Sequence, residues 1–204
     1  DDILITHHHN DHIDGVAALR GAARVIGAKA DAHRLPKLDL EVAEGDEITI
    51  CGQTTTVLDV SGHTVGHIAY HMPDAALVFT ADSLMALGCG RLFEGTPAQM
   101  WDSMQKLRAL PDDTLVCSGH EYTETNARFA ASLDPDNPDL ISRIKRIETA
   151  RAAGTPTVPS TLTEEKRTNP FLRADVPEFK AVLGMEDASA VDVFAYTRAQ
   201  KDKF

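Results

Sequence analysis

Seven residues near the start of the chain, Thr6-His7-His8-His9-Asn10-Asp11-His12, carry four imidazoles and a carboxylate. A fold that accepts this stretch must bring such groups together without burying them unpaired. The stretch follows the apolar run Ile3-Leu4-Ile5, which reads as the end of a buried strand. Extended backbone has a side-chain period of two, so His7, His9 and Asp11 can leave on one face while His8 and Asn10 leave on the other. Asp11 and His12 are adjacent and share a face only if the chain bends between them. Asp14-Gly15 supplies that bend, and a helical pattern with Val16, Leu19 and Ala23 then predicts a helix over residues 14–23. The expected unit is a metal-binding strand-to-helix turn. A tag remnant would be an uninterrupted histidine run outside the fold. A solvated His-rich loop needs no flanking strand and helix.

At 204 residues the chain can bury one sizeable core and a smaller appendage. Its net charge of −11 speaks against a nucleic-acid or anionic-membrane partner, since both require a basic face. No apolar run reaches membrane-span length and no targeting segment is visible, so a cytoplasmic monomer acting on a small molecule is expected. Cys51, Cys89 and Cys117 are odd in number and far apart; they read as small buried residues in a reducing compartment.

Further along, Val25-Ile26-Gly27 begins a strand and residues 28–44 read as a surface connection turning at Pro36, with His33 as a structural or surface histidine. Ile48 to Cys51 and Thr54 to Val60 read as strands about a Gly52-Gln53 turn. Ser61-Gly62-His63-Thr64 follows the second of these. Ile68 to His71 and Ala76 to Thr80 flank Met72-Pro73-Asp74-Ala75 as a hairpin that runs into Asp82. His67 and His71 lack acidic partners and read as structural hydrogen-bonding residues. Gly88 to Gly95 is a glycine-punctuated loop without the Gly-Lys-Ser/Thr ending of a phosphate loop. Thr96-Pro97-Ala98-Gln99 is a capping box opening a helix whose stripe is Met100, Trp101, Met104, Leu107 and Leu110. Leu115 to Ser118 is a short strand ending at Gly119-His120. Beyond Thr123 the chain turns helical, at 124–133, at 139–152 and at 189–201, the last with Val191, Phe194 and Ala195 inward.

Four separated segments, each just past an apolar strand, therefore offer metal donors: His7, His9, Asp11 and His12; His63; Asp82; and His120. Seven donors exceed one tetrahedral zinc. Two metals sharing a carboxylate bridge account for all of them, with Asp82, the single donor of its segment, as the natural bridge. A bimetallic pair suits hydrolysis of an ester, thioester, amide or phosphoester.

The pattern Thr-His-x-His-x-Asp-His with distant His63, Asp82 and His120 resembles the metallo-β-lactamase superfamily. Within it, the sequence is similar to the glyoxalase II (hydroxyacylglutathione hydrolase) family through Gly62 to His67, Gly88 to Thr96, Gly119 to Thr123 and the C-terminal Arg198-Ala199-Gln200-Lys201-Asp202-Lys203-Phe204. The resemblance implies an α/β fold, the αβ/βα sandwich, over residues 1–123 and a helical substrate-binding domain over 124–204. It implies that His7, His9 and His63 hold one metal, that Asp11, His12 and His120 hold the other, and that Asp82 bridges; zinc is expected, with iron or manganese as alternatives. It also implies hydrolysis of S-D-lactoylglutathione to glutathione and D-lactate, with a metal-bound hydroxide held at Asp11 and Asp82 as nucleophile. Arg91, Phe93, Tyr122, Arg198 and Lys201 fall on the family's glutathione-contacting positions, Phe93 where many relatives have tyrosine. Ala81 stands where glycine is more usual.

Relatives of this kind carry a few dozen residues before the His motif, so the sequence is expected to begin inside its first domain. A protein truly starting at Asp1 would expose a sheet edge and tend to aggregate. Two other activities fit parts of the pattern: a mononuclear-iron persulfide dioxygenase of the same superfamily, and an inactive metal-binding interaction module.

Overall fold

A computed structural model describes residues 1–204. Its strands are β1 (Asp2–Leu4), β2 (Arg24–Ala28), β3 (Leu40–Val42), β4 (Glu47–Ile50), β5 (Gln53–Asp59), β6 (Ile68–Met72), β7 (Leu77–Ala81), β8 (Leu84–Met85), β9 (Gly88–Cys89), β10 (Leu115–Ser118) and β11 (Ser160–Thr161). The helices are α1 (Asn10–Ile13), α2 (Val16–Leu19), α3 (Pro97–Arg108), α4 (Thr123–Leu133), α5 (Pro138–Ala152), α6 (Leu162–Thr168), α7 (Pro177–Val182) and α8 (Ala190–Lys203).

Strands β1, β2 and β3 form a small parallel sheet, with β1 at one edge. The larger sheet has the order β11-β10-β7-β6-β5-β4. Ile26, Ala28 and Val42 of the small sheet pack against Ile50, Val57, Ile68, Tyr70 and Met72 of the large one, which makes the core between them apolar on both sides. Tyr70 ties the layers: its buried hydroxyl donates to Ile5 O at 2.9 Å, and burial pushes its pKa well above the ordinary phenol value, so it stays a donor. The far face of the large sheet buries Val60, Ala69, Val78 and Val116 against α3 and the C-terminal helices through Met100, Trp101, Met104, Phe171 and Phe194. Every residue of β6 is buried, as a central strand covered on both faces requires. On the outer face of the small sheet, Val16 of α2 packs with Ile5 and Val25. The result is the expected sandwich of two sheets between helical layers.

Strand directions gather the motif residues. Strands β5 and β7 both run antiparallel to β6, so they are parallel to each other, and β10 is parallel to β7. Their C-terminal ends lie at one end of the sheet, and each is followed by a donor: His63, Asp82 and His120.

Several local expectations need correction. Of the helix expected over 14–23 only α2, Val16–Leu19, forms, and a separate turn, α1, precedes it at Asn10–Ile13. Residues 28–44 are more than a connection, since Leu40–Val42 forms β3 against β2. The β4–β5 loop is Cys51-Gly52, because Ile50 pairs with Gln53 and both loop residues have positive φ, the twist a two-residue hairpin favours. That places Cys51 at an exposed tip; Cys89 is buried, Cys117 is half-buried and all three thiols are free. On α8 the inward residues are Val193, Phe194, Thr197 and Arg198, with Val191 and Ala195 only partly covered. Helices α6 and α7 are additional to the three helices expected beyond Thr123. The capping box of α3 forms as expected: Thr96 Oγ1 accepts from Gln99 N and Gln99 Oε1 from Thr96 N.

Candidate metal centre

Two donor groups meet at Asp82. His7, His9, His63 and Asp82 each present one donor atom, all within 4.8 Å of one another, and Asp11, His12 and His120 form a second such group. Asp82 faces both: one oxygen lies 3.5 Å from His63 Nε2 and 3.3 Å from His120 Nε2, the other 3.4 Å from His12 Nε2. Asp11 is the most exposed member and sits 3.3 Å from His120 Nε2 and 3.5 Å from His12 Nε2.

Local backbone chemistry aims these groups. Asp82 follows Ala81, whose φ of 43° puts a β-carbon residue in the left-handed region, a conformation that costs about 1–2 kcal/mol outside glycine. The bend turns Asp82 off the end of β7 toward the imidazoles. Gly119 passes so near that a Cβ there would meet Asp82 Oδ1 at 2.4 Å, and a Cβ at Gly90 would lie 2.8 Å from His63 Nδ1. No larger residue fits at either place. His63 Nδ1 lies 2.8 Å from Arg91 O, which makes Nδ1 the protonated nitrogen and leaves the Nε2 lone pair free for a metal ion on the side that faces Asp82. Thr6 Oγ1, 3.1 Å from His7 Nδ1, likewise engages the nitrogen of His7 that points away from the group.

The electrostatics suit a cation. Burial lowers the pKa of His7 far below the ordinary imidazole range, helped by repulsion from His67, His12, His63 and His9. Burial also lowers His9 and His63. Burial opposes ionisation of Asp82, but His12, His120 and His63 outweigh it and hold the carboxyl below its ordinary pKa; Asp82 in turn raises His12. Neutral imidazoles around a carboxylate are the protonation states metal binding needs. His7 Nε2, His12 Nε2 and Asp82 Oδ1 are buried without a hydrogen-bond partner, a costly arrangement that a shared cation relieves.

The remaining histidines stand outside both groups. His33 is exposed. His67 is buried with Nδ1 3.2 Å from Ile68 O, in keeping with a structural role; it also stacks on His7 with ring centroids 4.5 Å apart, and its Nε2 has no partner. His71 Nε2 is also unpartnered.

The centre opens into a cavity of about 590 Å³. Arg91, Phe93, Tyr122, Arg198 and Lys201 all line it, as do His9, Asp11, His63, Asp82 and His120. Phe93 and Tyr122 flank the donors: Phe93 lies 5.6 Å from the His9 ring and 5.3 Å from His63, and Tyr122 stacks on His120 at 4.8 Å. Arg198 is buried, donates to Cys89 O at 2.9 Å and pairs with Asp202 at 3.0 Å, and its Nε is an unpartnered donor. Burial, with Arg198 and Arg128 nearby, lowers Lys201 to about 8. Thr125, Asn126 and Phe204 also line the cavity; Phe204 lies in the C-terminal stretch that carries the family resemblance, whereas Thr125 and Asn126 lie just past the Gly119 to Thr123 signature.

The metallo-β-lactamase superfamily model matches residues 1–120 and the hydroxyacylglutathione hydrolase C-terminus model matches residues 121–204. The chain is 68% identical to the hydroxyacylglutathione hydrolase of Jannaschia sp. (strain CCS1), covering 100% of this chain and 80% of that protein. It is 65% identical to that of Ruegeria pomeroyi, covering 100% and 81%. Among solved structures it is similar to ETHE1 from Myxococcus xanthus, with TM-score 0.59 and 27% identity over 98% of this chain and 77% of that one. It is also similar to TTHA1623, solved in a di-iron-bound form, with TM-score 0.54 and 26% identity over 83% and 76%. With both halves matched in sequence and the sandwich and its C-terminal helices in place, the chain belongs to the hydroxyacylglutathione hydrolase family of the metallo-β-lactamase superfamily.

Proposed function

We infer that this chain hydrolyses S-(2-hydroxyacyl)glutathione thioesters, S-D-lactoylglutathione among them, at a centre of two divalent metal ions. The observation that carries the reading is Asp82, one carboxylate facing two separate donor groups at the head of a cavity with cationic side chains along its wall. His7, His9 and His63 would hold one ion, Asp11, His12 and His120 the other, and Asp82 both. Bound there, the ions supply Lewis acidity, polarising a thioester carbonyl and acidifying water.

The chain's own residues do the rest. Asp82 and Asp11 keep negative charge at the reacting end. Phe93 and Tyr122 shield it and give the acyl group an aromatic wall. Arg198, Lys201 and Arg91 match the carboxylates of a glutathione peptide, which explains how a chain of net charge −11 can bind an anion. The three free thiols accord with a reducing compartment. No helix is long and apolar enough to cross a membrane.

The reading is tested by following S-D-lactoylglutathione cleavage and, separately, oxygen uptake on glutathione persulfide. Thioester cleavage without oxygen uptake is expected; the reverse pattern would reassign the chain to oxygenase chemistry, and neither activity would leave a metal-binding module.

Lys201 gives this reading a pH signature. It is charged below its lowered pKa of about 8 and neutral above it, so substrate affinity falls as pH rises through 8 rather than near the ordinary lysine value. For a contact of about 1 kcal/mol, KM rises ~5-fold by pH 9.5, with kcat little changed. Lys201→Arg, charged throughout, removes the inflection. A KM flat to pH 9.5 in the parent protein excludes Lys201 from substrate binding.

A further inference from the structure

Asp31 is a carboxylate with no exposed surface, remote in sequence from every donor. One oxygen accepts from Arg34 Nε, and the other lies 2.9 Å from His8 Nδ1, the imidazole directed away from the metal groups. Arg34 carries the connection onward. Its Nη1 donates to Glu94 Oε1 at 2.5 Å, and its Nη2 donates to Glu94 Oε2 at 3.2 Å and to Val65 O at 2.9 Å. Glu94 Oε2 in turn accepts from Val65 N at 2.8 Å. Gly66, with φ of +87°, passes so close that a Cβ there would stand 3.0 Å from Asp31 Cβ. One guanidinium thus joins three loops: residues 7–9, residues 63–67 and residues 91–95. Phe93 N also donates to His63 O at 3.2 Å, binding the second loop to the third.

We propose that Arg34, with Asp31 and Glu94, is a positioning clamp for the His7–His9–His63 half of the metal centre and for Phe93 beside it, and that it leaves the Asp11–His12–His120 half alone. The inference rests on the ligand assignment made above. All three clamped loops carry a donor of the first group or the ring next to it, and no hydrogen bond or ion pair of Asp31, Arg34 or Glu94 reaches Asp11, His12 or His120. Isolated surface ion pairs contribute little. Here the pairing is bidentate, one acceptor is fully buried, and the geometry it fixes is that of coordinating imidazoles, where partners behind the ligands typically govern about 10–100-fold in metal affinity.

The test is zinc affinity, measured against a chromophoric chelator in two parents that each keep one donor group: His120→Ala, which keeps the His7–His9–His63 half, and His63→Ala, which keeps the other. Arg34→Ala should weaken zinc at least about tenfold in the first parent and less than about twofold in the second. A general loss of stability would weaken both, so equal weakening, or none in the His120→Ala parent, overturns the clamp. Should Arg34→Ala fail to fold, Glu94→Gln, which removes the charge and keeps an acceptor for Val65 N, is read the same way with a smaller split. If neither parent holds zinc, the ligand assignment itself is wrong and the clamp falls with it; if each parent holds one zinc and Arg34 makes no difference between them, only the clamp is wrong.

Discussion

Asp82→Ala is expected to strip the protein of bound metal and to lower thioester turnover at least ~10³-fold, beyond the loss typical of removing one oxyanion-stabilising donor. The magnitude follows from position. Asp82 is nine-tenths buried, and its two oxygens lie within 3.5 Å of His12, His63 and His120, so removing it takes the only shared anion from both groups. The His7–His9–His63 group then has imidazoles alone and the other group only the exposed Asp11, a poor host for two dications. Asp82→Asn separates charge from shape: the amide fills the same space but supplies one neutral oxygen, so metal content should fall as in alanine while thermal stability without metal stays close to the parent. Elemental analysis after dialysis and steady-state turnover on the same samples check both. An Asp82→Ala protein that keeps two metals and normal turnover is incompatible with a bridging role.

Glu165→Ala is expected to cost about 3–5 kcal/mol of folding stability, the usual penalty for stranding a buried ion-pair partner. Glu165 has no exposed surface and Arg143 is 3% exposed. The carboxylate accepts from Arg143, from Ser160 Oγ at 2.6 Å, from Asn169 Nδ2 at 3.0 Å and from Leu87 N at 2.9 Å. Asn169 also donates to Met85 O and Gly88 O. This network fastens α5 and α6 to the β8–β9 hairpin, which runs directly into the Gly90–Arg91 edge of the cavity. Alanine leaves the guanidinium and Leu87 N unpaired together. Pairing Glu165→Leu with Arg143→Met should recover part of the loss, because the buried charge goes while Leu87 N stays unmet. Urea unfolding measures the change; a loss under about 1 kcal/mol would show that water reaches the network.

The centre was readable in the sequence because each donor sits in a short signature just past an apolar strand, and the sheet brings those strand ends to one place. Helix α3 was readable through its capping box. Other features depended on tertiary contacts. Strand β3 has only three residues, and its pairing with β2 cannot be seen in a stretch broken by Pro36. Helix α6 carried an overlooked sign, Thr161 three residues before Glu164, and Thr161 Oγ1 does accept from Glu164 N. The inward face of α8 misled because it buries Arg198, a residue usually left to solvent, against Cys89 and over the Phe171 ring. The clamp is spread over residues 8 to 94, and nothing in the immediate surroundings of Asp31, Arg34 or Glu94 announces that the three meet.

The central claim is that two metal ions share Asp82 and together support thioester hydrolysis. It is tested most directly by titrating the metal-free protein with zinc while following S-D-lactoylglutathione cleavage. Activity is expected to climb through the second equivalent of zinc per chain and then level off. Full activity at one equivalent, or cleavage that proceeds without metal, would contradict it.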